Sequence, residues 1–363
     1  MSKYNLSDLR DAKGVLAEAQ AKKISPLTFM LRLARTNQLH TDVYNPDVED
    51  KHGKGPIAQI LRNAGIITTG PAAGNIEASF FSDNGNEVFF PVMVEQVVRE
   101  FEKVGMHLLG LNDLVSVVVP TSSTAVRYGI LDEIEGDAIA GDTTEGAGQG
   151  VIVLTQSKKS VNLEERSWRL EASYQALAHV RLDLFNRYLA KVGRKRAREK
   201  VNEALEVSIN GDENGNPAPN TAFATTLWDL KDLVQLMLLM NDNDAEPNVI
   251  TGDRVELGKL LTLAHLVDPD ATSDGARFRE TGAFPSILGM TPKRAPKGSV
   301  LEGTGKVALI DTNLGLEQYV DEKLTMVEYD KLIVKGFERV VFRESYGFGK
   351  ADKDGVRTGS RQL

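Results

Sequence analysis

Residues 124–172 constrain this 363-residue chain more than any other stretch. They read as an excursion of extended chain: a strand over Thr124–Leu131, an acidic, glycine-rich tip over 132–150, a strand over Val151–Gln156, and a return over Ser160–Ala172. The tip carries Asp132, Glu133, Glu135 and Asp137, then Gly141, Gly146, Gly148 and Gly150. A two-stranded hairpin is marginal alone in water. Its apolar positions, Val126, Tyr128, Ile130, Val151, Val153 and Leu163, therefore need a surface to cover them. On the return, Val161 and Leu163 share one parity, and Trp168, Leu170 and Ala172 share the other. Side chains alternate faces along a strand, so this phase change predicts a bulge or break near Glu164-Glu165-Arg166.

Two further elements pose the same problem of cover. A long helix is predicted over Tyr174–Asn210, with Tyr174, Leu177, Ala178, Phe185, Tyr188, Leu189, Val192, Val201, Ala204, Leu205 and Ile209 as its stripe and Asn210-Gly211 as its stop. At 1.5 Å per residue it would be roughly 50 Å long, more than a compact domain needs. Residues 1–36 read as two helices. Ser7 caps the first, with Leu9, Ala12, Val15, Leu16 and Ala19 on one side; Ser25-Pro26 starts the second, with Leu27, Met30, Leu31 and Ala34 at helical spacing. Three protruding elements with one apolar face each suggest faces supplied by neighbouring copies. A patch that docks on a different patch closes into rings or shells. The competing reading folds all three back on one core, and pattern alone leaves both open.

The rest of the chain is read more briefly. The polar stretch ending at Gly53-Lys54-Gly55-Pro56 reads as a linker, followed by a short helix over Ile57–Asn63. Thr68–Pro91 reads as extended, turning at Asn84-Gly85. A helix follows from Pro91, with Val94, Val97, Val98, Phe101 and Val104 as its stripe and Gly105 at its end. Val115–Val119 reads as a buried strand. Residues 217–320 read as an α/β module, with helices over Thr226–Met240 and Arg254–Leu266 and strands over Asn248–Thr251 and Val307–Asp311. Strands close the chain over Lys323–Glu328, Lys331–Lys335 and Glu338–Arg343, before a polar tail, Gly347–Leu363, that reads as mobile.

Composition removes several classes of chemistry. With no cysteine there is no disulfide and no thiolate metal site. A net charge of -8 offers no global basic field for nucleic acid. No run of about 18 apolar residues could span a membrane. The segment Met1-Ser2-Lys3-Tyr4-Asn5 lacks the apolar run of a signal peptide, which points to a protein kept in a cell or in a particle assembled there.

The five histidines, His40, His52, His107, His179 and His265, form no spaced metal motif and read as surface or packing residues. Glu145-Gly146-Ala147-Gly148-Gln149-Gly150 has the third glycine of a dinucleotide loop misplaced, and Gly303-Thr304-Gly305-Lys306 lacks the Ser or Thr of a P-loop because Val307 follows. Asp212-x-Asn214-x-Asn216 opens like a calcium loop but has Pro217 where glycine belongs and Phe223 where the bidentate Glu belongs. Asn241-Asp242-Asn243-Asp244 likewise reads as a solvated turn. The basic run Lys191, Arg194, Lys195, Arg196, Arg198 and Lys200 reads as a solvated face paired with Glu199 and Glu203. Its functional alternatives are contact with packaged DNA or with a neighbour's acidic tip; no module for reading sequence is visible. No catalytic, cofactor-binding or metal-binding residue is assigned.

Pro120-Thr121-Ser122-Ser123-Thr124-Ala125-Val126-Arg127-Tyr128, then Thr144-Glu145-Gly146-Ala147, then Ser157–Ala172 leading into the long helix, resemble the E-loop and spine helix of the tailed-bacteriophage major capsid family, a fold shared with encapsulins and herpesvirus capsid floors. Asn210-Gly211-Asp212-Glu213-Asn214-Gly215 resembles the turn after that helix. The resemblance covers about residues 70–345 and implies an α+β fold divided as follows: an N-terminal extension, partly helical, over 1–65; an N-terminal arm and first peripheral elements over 66–123; an E-loop over 124–172; a spine helix over 173–216; an axial domain over 217–320; closing peripheral strands over 321–346; and a tail over 347–363.

It further implies a non-enzymatic shell subunit that self-assembles into pentamers and hexamers, with E-loops and arms draped over neighbours. The shell would be an icosahedral phage head around double-stranded DNA, built in the host cytoplasm and residing in the virion. Scaffolding protein, portal, a decoration protein and non-specific packaged DNA are the implied partners, with no membrane. Some family members join subunits through a lysine and an asparagine; Lys158 and Lys159 lie in the E-loop stretch, but nothing local singles them out, and no crosslink is carried over. The alternatives are an encapsulin-like compartment, a decoration or portal-like virion component, and a cytosolic α/β enzyme using Asp229, Asp253 and Glu256 in the 217–320 module.

Overall fold

The computed structural model describes residues 3–11, 18–19, 21–22, 24–46, 55–68, 70, 72–81, 86–102, 107–127, 160–263, 284, 286–332 and 337–361. In chain order the elements begin with helices α1 (Leu6–Arg10), α2 (Pro26–Arg35) and α3 (Pro56–Asn63), a π-helical turn (Glu77–Phe81), a 3-10 turn (Asn86–Val88) and α4 (Phe89–Glu100). Strands β1 (Val115–Thr121), β2 (Ala125–Arg127), β3 (Ser160–Asn162) and β4 (Glu164–Ser173) follow, then α5 (Tyr174–His179), α6 (Leu182–Asn210) and β5 (Asn220–Phe223). The remainder is α7 (Leu230–Asn241), β6 (Val249–Gly252), α8 (Arg254–Leu261), β7 (Thr291–Arg294), β8 (Lys306–Ile310), β9 (Leu316–Leu332), β10 (Phe337–Gly349) and β11 (Val356–Arg361). The class is α+β. The chain divides into a first unit, Met1–Lys103, Glu164–Ala197 and Val320–Tyr346, and a second unit, Val104–Leu163, Arg198–Tyr319 and Gly347–Leu363.

In the first unit the N-terminal residues are part of the core. Leu9, Phe29, Met30, Leu33, Leu39, Ile57 and Ile60 belong to one buried cluster with Phe80, Phe89, Phe90, Val98, Leu189 and Phe342. The expectation of a protruding N-terminal element is corrected here: its apolar face is covered by its own chain. Ser25 caps α2 as expected, its Oγ accepting from the Thr28 N–H at 3.1 Å, with Pro26 at the first position. Asn5, not Ser7, caps α1 through a reciprocal pair with Asp8, each bond 2.9 Å. Ala12, Val15 and Leu16 lie outside the described residues, as do Gly53-Lys54. The expected linker buries Leu39 and Val43 before leaving the described residues at 47.

The extended reading of Thr68–Pro91 is also wrong. Phe80 and Phe81 sit in the π-helical turn, and Phe89 and Phe90 open α4. Phe90 touches Phe80, Phe81 and Phe185 with ring centroids 5.6, 5.3 and 6.0 Å apart. Residues apolar on all sides carry no period, so helix and strand cannot be told apart from the pattern. The turn at Asn84-Gly85 lies outside the described residues, and the helix expected to run to Gly105 ends at Glu100, capped at Phe101.

Within this unit β4 pairs antiparallel with β10, from Phe337↔Ser173 to Tyr346↔Glu164. Leu170 is buried, Trp168 and Ala172 are half-buried, and Glu165, Ser167 and Arg169 point outward, as the alternation predicts. Trp168 stacks on Phe342 with centroids 4.0 Å apart. The predicted break falls at Leu163, between β3 and β4.

The predicted long helix is two helices. It is interrupted at Val180-Arg181, where the backbone bonds elsewhere: the Ile76 N–H donates to Val180 O at 3.3 Å and the Leu182 N–H to Gly74 O at 3.0 Å. The remaining 29-residue α6 is still about 43 Å long; its residues to Ala197 fall in the first unit and those from Arg198 in the second. Gly193 permits α6 and α4 to meet, because a Cβ there would lie 2.5 Å from the Val98 carbonyl oxygen.

The second unit carries a five-stranded sheet in the order β5-β11-β8-β6-β7. Leu233, Leu236 and Met240 of α7 and Leu257 and Leu260 of α8 share a core with Ile250, Val307 and Leu309 of the sheet. Residues 349–361 contradict the expectation of a mobile tail. β11 lies between β5, to which it is parallel, and β8, to which it is antiparallel. Gly359 there leaves room for Leu236, whose Cδ1 would be 2.7 Å from an added Cβ.

Candidate functional site

The described residues of the 124–172 excursion are β4, in the first unit, and the base of the excursion, 124–127 with 160–163, in the second unit. Ala125↔Asn162, Val126↔Val161 and Arg127↔Ser160 pair antiparallel. The Ser123 hydroxyl donates to Ala125 O at 2.8 Å, and the Leu163 N–H donates to Thr124 O at 2.9 Å, which closes the neck. Val161 and Tyr319 are buried in a small cluster, with Val119, Val126, Leu163 and Ala351 partly buried against it. Tyr319 donates its hydroxyl hydrogen to Glu317. The acidic tip, the strand Val151–Gln156, and Lys158 and Lys159 lie outside the described residues.

Just before the base, β1 departs from expectation. Val115–Val119 is a strand but not a buried one: Val117 and Val118 are 51% and 59% exposed. Among the described residues β1 pairs on one side only, with the start of β9. An exposed apolar edge of this kind is a natural place for another chain to add. The second unit also exposes Leu227, Leu238 and Val255. The first unit exposes Leu184 and Tyr188, one helical turn apart on α6, where the sequence stripe had placed Tyr188 inward.

The basic run on α6 splits in two. Lys191, Arg194, Lys195 and Arg198 are exposed. Arg196 turns inward, its Nη1 2.8 Å from Glu102 and its Nη2 2.6 Å from Glu344, with the guanidinium 5.1 Å from the Trp168 ring. Arg194 lies over Phe101 at 5.7 Å. Nearby in sequence on α4, buried Glu95 meets Arg99 at 2.7 Å; burial pushes its carboxyl above the ordinary range, against the pull of Arg99. Arg196 is thus a structural ion pair, which neither sequence reading of the run had foreseen.

The carboxylates of the enzyme reading do not form a reactive set. Asp229 is exposed at the start of α7, and Lys231, 3.3 Å away, lowers its carboxyl. Asp253 accepts from the Glu256 N–H at 2.7 Å and from the Gly303 N–H at 3.1 Å. Glu256 accepts from Trp228 Nε1 at 2.7 Å and from Lys259 Nζ at 2.6 Å. The oxygens of both buried acids are occupied by structural donors. Asp253 thus takes the Gly303 N–H, a donor that a phosphate-binding turn would need free.

Asp212 and Asn216 likewise serve the fold. Asp212 accepts from the Lys350 N–H at 3.0 Å, and Asn216 Nδ2 donates to Lys350 O at 2.7 Å. The buried Lys350 ammonium donates to Ser208 O at 2.8 Å, and burial lowers its pKa to about 8. His107 packs on Phe284 at 4.4 Å, and His40 meets Asp42 at 3.0 Å; His52 and His265 lie outside the described residues. Among the described residues no group of three acidic or histidine side chains could hold a metal ion, and no helix is long and apolar enough to cross a membrane.

No protein-family model and no curated protein matches this sequence. Solved structures do. A chain from Microbacterium phage Oxtober96 is 15% identical at a TM-score of 0.50, covering 72% of this chain and 94% of its own. The capsid of a native GTA particle, computed with C5 symmetry, is 16% identical at 0.50, covering 72% and 95%. The capsid of the cyanophage P-SCSP1u is 11% identical at 0.51, covering 72% and 90%. This chain has the fold of these three chains, two of which are capsid subunits.

Proposed function

We propose that this chain is the major capsid protein of a tailed-phage head: a non-enzymatic subunit that assembles with itself, as pentamers and hexamers, into an icosahedral shell around double-stranded DNA. The observation that carries this reading is a likeness that spans nearly the whole length of known capsid subunits. An apolar edge strand at Val117 and Val118, and exposed Leu184, Tyr188, Leu227, Leu238 and Val255, supply surfaces for neighbouring copies. In this reading residues 217–320, with β11, are the axial domain, and the E-loop lies on an adjacent subunit. Scaffolding protein, portal, decoration protein and non-specific DNA on the inner face are its partners, and the virion is its location.

Electron microscopy of the chain expressed with its scaffold tests this directly. Closed shells with five-fold vertices are expected; soluble monomers under every condition would refute it. DNA in particles from infected cells separates a phage head from a cargo-enclosing compartment.

A further inference from the structure

We propose that Gly347 is a positioning residue that sets the place of the paired strands β2 and β3, by letting β10 pass directly under them. β4 ends its pairing at Tyr346↔Glu164, and β10 continues through Gly347, Phe348 and Gly349 without it. At Gly347 an added Cβ would lie 2.9 Å from the Asn162 carbonyl oxygen and 2.9 Å from Val161 Cγ1. One of those contacts is backbone, so no rotamer change relieves it. Reaching ordinary contact near 3.5 Å requires the strand carrying Asn162 to move by about 0.6 Å.

The same strand holds Val161, which is buried against Tyr319 and flanked by Val119, Val126, Leu163 and Ala351. That cluster is small and fixes β3 from one side, while Gly347 sets how closely the strand can sit. The Leu163–Thr124 backbone bond and the β2–β3 pairs then carry the position of β3 to β2. Residues 128–159 join β2 to β3 in the sequence, so the clamp sets where that segment leaves and re-enters the second unit.

This inference rests on the assembly reading only for its consequence; the geometry can be measured without assembly. The chain has no cysteine, so a pair introduced at Arg127 and Lys231, both exposed and both in the second unit, takes spin labels cleanly. In the otherwise unchanged full chain, pulsed electron–electron resonance should give one narrow distance. Gly347→Ala should shift or widen it, and Val161→Ala, which adds no clash, should widen it while leaving the thermal transition of the second unit cooperative. An unchanged distance in Val161→Ala, or in a folded Gly347→Ala, overturns the clamp. In the assembly arm, the unlabelled variants should lose closed shells under conditions where the parent chain forms them. Variants with shifted distances that still close normal shells overturn the positioning role. A parent chain that never assembles sinks the capsid reading and leaves the distance result standing.

Discussion

Two inward-turned arginines, Arg196 half-buried and Arg361 buried, distinguish the two units. In the first, Arg196 has two carboxylate partners, Glu102 and Glu344, at 2.8 and 2.6 Å. In the second, Arg361 at the end of β11 stacks 3.9 Å from the Trp228 ring, its nearest carboxylate is Asp232 at 3.9 Å, and Nε, Nη1 and Nη2 have no hydrogen-bond partner among the described residues. A fully paired ion is costly to break, because its partners are left as uncompensated charges. A guanidinium held mainly by a ring face contributes shape, and an apolar side chain of similar length can replace it. At these two positions, then, the first unit is tied by charge at the middle of α6 and the second by packing on a ring face.

That contrast can be broken by substitution. Arg196→Ala should have the largest effect, a loss of about 3 kcal/mol in the first unit read by denaturant unfolding; a loss below about 1 kcal/mol would mean the pair is screened like a surface bridge. Gly193→Ala should follow, costing about 2 kcal/mol as α6 is pushed from α4, with the loss confined to the first unit.

Lys350 gives the second unit a pH signature. Its folded pKa is about 8, below the ordinary lysine value of 10.5. Between those values the unfolded chain holds the extra proton, so stability rises with pH, by about 1 kcal/mol from roughly pH 7 to 9. Lys350→Met should abolish that rise. The smallest effect belongs to Arg361→Met, within about 1 kcal/mol of the parent. A loss as large as that of Arg196→Ala would erase the distinction between the units.

Local signals were the legible ones. Ser25-Pro26 announced α2, the parity of Trp168, Leu170 and Ala172 announced the inward face of β4, and the phase change placed the break within one residue of Leu163. The losses share a cause: each depends on what lies opposite. Val180-Arg181 has no breaker residue; the chain there bonds across to residues 74–76, far away in sequence. Val356-Arg357-Thr358-Gly359-Ser360-Arg361 reads as polar, yet is buried because strands flank it on both sides. Val115–Val119 looks buried and is exposed, because composition does not say which side of a strand is covered.

Of the candidate site, the meeting of strands around 125 and 161 was legible, but the close approach of Gly347 to Asn162 was not. The available hint was Gly347, isolated within an alternating strand, which often marks close backbone approach. The inward turn of Arg196 had no hint at all, since its partners lie far away in sequence.

The central claim is that sister copies shelter surfaces this chain leaves open. A cryo-electron map of the assembled chain, clear enough to trace residues 128–159, decides it. The account predicts that segment lying on an adjacent subunit, with Val117 and Val118 in contact with another copy. A map, or a solution structure of an isolated subunit, with that segment folded against its own body and those valines still in solvent would contradict it.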